Sequence, residues 1–98
     1  MSLIFRGFAP TIQLCRESKR VLDYLTEIAP YSSSVHLLVE NVKQDLFSCT
    51  LKIKAQIGVF VATKHAEDPD SALKRAYNDI TEELAEWKKF RFEIDIAV

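Results

Sequence analysis

With only two glycines, three prolines and two cysteines in 98 residues, the chain lacks the means for several kinds of chemistry. Gly7 and Gly58 stand alone, so there is no glycine-rich loop of the kind that cradles a phosphate, and no nucleophile motif accompanies them. Cys15 and Cys49 lie in apolar settings without a CxxC spacing or a histidine-rich neighbour. That pattern predicts buried reduced thiols in a cytosolic protein rather than a disulfide. No apolar run approaches the roughly 18 residues of a membrane span, and the first residues lack a signal-peptide pattern, so the expected location is cytoplasmic, with no membrane partner. Charge of one sign is missing too: 13 Lys and Arg against 14 Asp and Glu leave a net charge of -1, so any site for nucleic acid must come from local clustering.

What is present is an ordinary globular composition, 48% apolar and 28% charged, in a length that supports one core and not two. Residues 1–98 are therefore read as a single domain. Its clearest stretch is Phe47 to Lys54, where Phe47, Cys49, Leu51 and Ile53 alternate with Ser48, Thr50, Lys52 and Lys54 at the strand period of two. Val35 to Glu40 and Val59 to Thr63 flank it, rich in β-branched and aromatic residues, and complete a three-strand antiparallel meander. Before the meander, Leu3 to Phe8 reads as a short strand. A helix follows from a Thr11 cap to Ile28, with Leu14, Cys15, Val21, Leu22, Leu25 and Ile28 at helical spacing. After it, Asp70 or Ser71 caps a second helix reaching about Lys89, with Leu73, Ala76, Tyr77, Ile80, Leu84 and Trp87 on one stripe.

The order strand, helix, three strands, helix constrains topology. The first two strands form a right-handed βαβ unit and should be parallel. Both helices then pack on one face of the sheet. The expected fold class is α+β: a two-layer βαβββα sandwich with a mostly antiparallel four-stranded sheet covered on one face by two helices. The uncovered face would carry Arg6, His36, Thr50, Lys52 and Lys54. The tail from Phe90 to Val98 also alternates, and reads as a possible C-terminal fifth strand. It would serve either as a parallel edge strand or as the seam of a homodimer.

The element order, Gly7 closing the first strand, Val39-Glu40 closing the second, and Asp68, Ala72, Leu73, Ile80 and Leu84 in the last helix together resemble the bacterial ribosome hibernation-promoting factor and ribosome-associated inhibitor family, also called sigma-54 modulation proteins. The resemblance covers roughly Leu3 to Lys89. It implies the βαβββα fold, and a non-catalytic role in which basic helix residues lie against ribosomal RNA of the small (30S) subunit and so block translation. The residues it nominates for RNA binding are Arg16, Lys19, Arg20, Lys74, Arg75, Lys88 and Lys89. The sequence departs from the family on the outer face of the second helix, which holds Asp79, Glu82, Glu83 and Glu86, and in having Asp70 where the family often has an aromatic residue.

The plain alternatives are specific. Arg16, Lys19 and Arg20 also fit a solvated mixed-charge helix face, and Lys74 and Arg75, read as first-turn cations, fit an ion pair between Arg75 and Asp79. The string His65 to Asp70 contains metal-ligand types, but a loop before a helix uses Asp and Glu for capping. Cys15, Cys49, His36 and His65 have no spacing that unites them as catalytic groups. The expectation is thus no enzyme, no cofactor, no metal and no small-molecule substrate. Two readings remain: an RNA or ribosome binder, and a protein-interaction or homodimeric module of the same fold.

Overall fold

The alternation in Phe47 to Lys54 becomes the third of four strands. A computed structural model describes the backbone of residues 1–97 and the side chains of residues 1–89. The elements are β1 (Ser2–Arg6), α1 (Ile12–Ile28), β2 (Ser34–Lys43), β3 (Leu46–Ala55), β4 (Gly58–Ala66) and α2 (Pro69–Ala97). Spatial order follows chain order, β1-β2-β3-β4, with β1 parallel to β2 and the other pairs antiparallel. The expected two-layer βαβββα sandwich is the fold observed.

Burial follows the period of two. Val35, Leu37 and Val39 of β2 and Cys49, Leu51 and Ile53 of β3 turn inward and are excluded from water. Across the register Leu37 faces Leu51, which faces Ala62, so one apolar row crosses the sheet. Leu14, Leu22 and Leu25 of α1 and Ala72, Leu73, Ala76, Ile80 and Leu84 of α2 complete the core. At one end, edge-to-face contacts of Phe8 with Phe5 (5.9 Å) and with Phe47 (5.1 Å) close the sandwich. Cys49 and Cys15 are both free thiols, and burial pushes the Cys49 thiol up to about 12, so it is inert as a nucleophile.

Local chemistry sets the ends of the elements. Thr11 accepts a hydrogen bond from the Leu14 N–H at 3.0 Å, the expected N-cap, and Pro30 follows the end of α1. Gly7 has φ +83°, and a Cβ there would sit 3.1 Å from the Asn41 carbonyl oxygen, so the turn out of β1 requires glycine. β2 and β3 join through Gln44 and Asp45, with Asp45 left-handed at φ 56° and a register shift between Asn41 and Lys43.

Three expectations need correction. The cap of α2 is Asp68, two residues before Asp70 and three before Ser71: Asp68 accepts from the Ser71 N–H at 2.8 Å and from the Ser71 hydroxyl at 2.9 Å. Pro69 then opens the helix, where its missing N–H costs nothing. β4 runs on to Ala66 through Lys64 and His65, because an edge strand tolerates polar residues facing water. The stretch read as a fifth strand continues α2 as helix to Ala97, while Val98 lies outside the described residues. No Gly or Pro interrupts the chain after Pro69, and extending an existing helix adds a hydrogen bond for each residue fixed. A dimer seam made from that strand loses its basis.

One core position is polar. Ser18 on α1 is fully buried, and its hydroxyl has no hydrogen-bond partner among the described residues. Removing an unsatisfied buried hydroxyl while improving helix propensity should stabilise, so Ser18→Ala is expected to raise unfolding free energy by roughly 1–2 kcal/mol in urea titration. A loss of stability would mean that the hydroxyl is satisfied.

Candidate functional site

The face of the sheet away from the helices carries Arg6, His36, Thr50, Lys52 and Lys54 as expected. It is cross-linked by short polar contacts: Arg6 to Glu40 at 3.9 Å, and Thr50 to Thr63 at 3.1 Å. His36 bridges Ser2 at 2.6 Å and Ser34 at 3.2 Å. Partial burial, with the N-terminal amine, Lys54 and Lys52 adding to it, lowers the imidazole pKa and holds the ring neutral. The Arg6 and Ser2 contacts tie β1 to β2, and the threonine pair ties β3 to β4.

The concave features lie around the helices. Gln13, Glu17, Arg20, Val21 and Tyr24 of α1, at helical spacings, face Asp70, Leu73, Lys74 and Tyr77 of α2 across a groove of about 670 Å³. Tyr24 and Tyr77 approach at 6.1 Å with their rings tilted by 53°. Desolvation, with Tyr24 nearby, raises the Tyr77 hydroxyl pKa, so that hydroxyl stays a neutral donor at physiological pH. The groove therefore offers two aromatic faces flanked by Arg20 and Lys74, with Glu17 holding Arg20 at 3.4 Å. An exposed pair of this kind is worth little and yields readily to a phosphate.

Of the seven nominated basic residues, only Arg20 and Lys74 meet. Arg16 and Lys19 are exposed on α1 beside that groove without lining it. Arg75 turns to the opposite flank, where its guanidinium donates to the His65 carbonyl at 2.7 Å. The supposed Arg75–Asp79 pair gives way to Lys64 and Asp79 at 4.0 Å. Because α2 begins at Pro69, Lys74 and Arg75 belong to its second turn, and the macrodipole argument for a ligand there lapses. Lys88 and Lys89 are exposed far along α2.

A second groove, about 850 Å³, runs between β4 and the later half of α2. Phe60 and Trp87 form its aromatic floor, 6.0 Å apart and near perpendicular. Glu83 and Glu86 stand beside them, with Lys89 also lining the groove. Oε2 of Glu83 is out of water with no hydrogen-bond partner among the described residues, and desolvation, with Asp79 and Glu86 adding repulsion, raises the pKa of the carboxyl. The one hint of this site in the sequence is a glutamate at position 83 whose helical phase points between solvent and core. The His65 to Asp70 string forms no metal cage: Asp68 is engaged by Ser71, and no group of three or more ligand-type residues gathers among the described residues.

No family model matches the sequence, and no curated protein matches it. Solved structures do match in fold. The chain superposes on a crystal structure of the Thermus thermophilus Protein Y N-terminal domain with a TM-score of 0.71 at 13% identity, covering 88% of this chain and 94% of that one. A ribosomal subunit interface protein from Coxiella burnetii gives a TM-score of 0.70 at 13% identity, covering 91% and 99%. Both neighbours belong to the hibernation-factor group that the sequence resembles.

Proposed function

We propose that this protein is a ribosome-associated, non-catalytic factor that occupies ribosomal RNA of the small subunit and thereby hinders translation. The observation carrying this reading is the nearly end-to-end fold match to a ribosomal subunit interface protein, over 91% of this chain and 99% of that one. The inter-helix groove adds local support. Arg20 and Lys74 can each reach a phosphate from opposite rims, Arg16 and Lys19 extend the positive charge along α1, and Tyr24 and Tyr77 offer faces for an unstacked base. Recognition of this kind reads shape and backbone charge rather than base sequence. Lys88 and Lys89 form a separate cationic end that would touch RNA only if the bound surface curves along α2.

Sedimentation tests it. Purified protein mixed with ribosomes in low salt should travel with the small subunit through a sucrose gradient and be released as salt rises. Protein that stays at the top of the low-salt gradient while ribosomes sediment would end this reading.

A further inference from the structure

The second groove has a chemistry opposite to that of the first. β4 is an edge of the sheet, with no strand beyond it among the described residues; Arg75 meets its His65 carbonyl near one end, while exposed Val59 (57%) and Val61 (44%) lie nearer the other without a charge between them. Such an edge is a template for another extended chain. Beside it, the Phe60–Trp87 pair makes an aromatic floor, and Glu83 and Glu86 supply carboxylates. Asp79, on the same helical stripe, is already met by Lys64, whereas neither Glu83 nor Glu86 has an ion-pair partner among the described residues. Glu83 additionally holds a carboxylate oxygen sheltered from water and without a donor among the described residues. Phosphate would be repelled here. A cation on an apolar stem would instead lie on the ring faces and give Glu83 the donor it lacks.

We propose that the β4–α2 groove docks an extended, arginine- or lysine-bearing segment of a partner protein, which adds as a strand to β4 and sets one cationic side chain between the Phe60–Trp87 pair and Glu83 with Glu86. This contact is separate from the RNA reading and stands or falls without it. Lys89 is exposed at the same groove without an ion pair to Glu83 or Glu86.

The test is titration of the full chain with a short acetylated peptide of alternating arginine and valine, followed by the emission of Trp87, the chain's one tryptophan, and by amide shifts. The expected result is a saturable emission change with shifts confined to β4 and to positions 83–89. Glu83→Gln combined with Glu86→Gln should weaken binding about tenfold, the size of one charge-assisted hydrogen bond, while ribosome sedimentation is unchanged. Glu83→Gln keeps the shape of a half-buried side chain, so the fold should survive. If the double variant does not fold, Glu86→Gln alone should still weaken binding. Four results would overturn the proposal: no response to the arginine peptide, equal binding of a glutamate-valine peptide, equal binding of N-acetylarginine amide, or β4 shifts that track self-association of the chain.

Discussion

Leu51→Ala is expected to leave the domain near its unfolding threshold. Leu51 has no exposed surface, sits in the middle of β3, and lies in the row formed with Leu37 and Ala62. Both neighbouring strands are paired across their whole lengths there, so the site cannot collapse to fill the void. Truncating a leucine in such a place costs about 3–5 kcal/mol, against roughly 5–15 kcal/mol of total stability for a domain of this size. In urea, the midpoint should fall by roughly a third to a half with little change in slope. Val61→Ala, at a half-exposed position of β4, serves as the control and should shift the midpoint only slightly. Similar losses at both positions would mean that the core is not centred on β3.

The second large effect belongs to the inter-helix groove. Arg20→Glu with Lys74→Glu should lower ribosome affinity on the order of a hundredfold, because two charge-assisted phosphate contacts are lost at once. The slope of log affinity against log salt should shrink by about 1.5, the share of two phosphates. Neither residue is buried, so thermal unfolding should be nearly unchanged. The contrasting variant is Glu82→Lys with Glu86→Lys, on the acidic stretch of α2, which should not reduce affinity. If it weakens binding as much as the Arg20 and Lys74 pair does, the RNA surface lies elsewhere than the groove.

Much of the fold was legible because it rests on local periodicity. Phe47 to Lys54 declares β3 by alternation, and the apolar spacing from Leu14 to Ile28 declares α1, so the two-layer arrangement follows from element order. Misreadings arose where two periods fit the same residues. Phe90, Phe92, Ile94 and Ile96 alternate like a strand, yet Phe90 and Ile94, and Phe92 and Ile96, are also four apart, a helical spacing. The absence of a breaker after Pro69 decides in favour of helix. Asp68 was hidden as a cap because Asp70 and Ser71 offer equally good side chains, and only Pro69 at the first helical position distinguishes them.

The candidate sites were less legible. Which cations converge depends on the rotation of each helix about its own axis, set by packing across the sheet rather than by spacing along the chain. Arg20 and Lys74 meet because Leu14, Leu22 and Leu25 of α1 and Leu73, Ala76 and Ile80 of α2 are drawn to the same core. Arg75, one residue further on, is carried to the other flank of α2 by the helical advance of about 100° per residue. Glu83 and Glu86, read simply as a departure from a basic helix, line a groove with an identifiable chemistry once β4 is placed beside them.

The parallel pairing of β1 with β2 also governs how the chain assembles. β2, β3 and β4 are joined by tight hairpins and can find their register through contacts close in sequence, so their meander forms early. β1 can join only after the intervening helix has folded back, because its partner Leu37 of β2 lies beyond α1 from Leu3. During synthesis the order is reversed: Leu3, Phe5 and the apolar face of α1 emerge first and have no sheet to cover until β2 and β3 follow. The N-terminal third therefore waits with its core surface in water, which makes the interval before β3 appears the period of greatest exposure to misassembly.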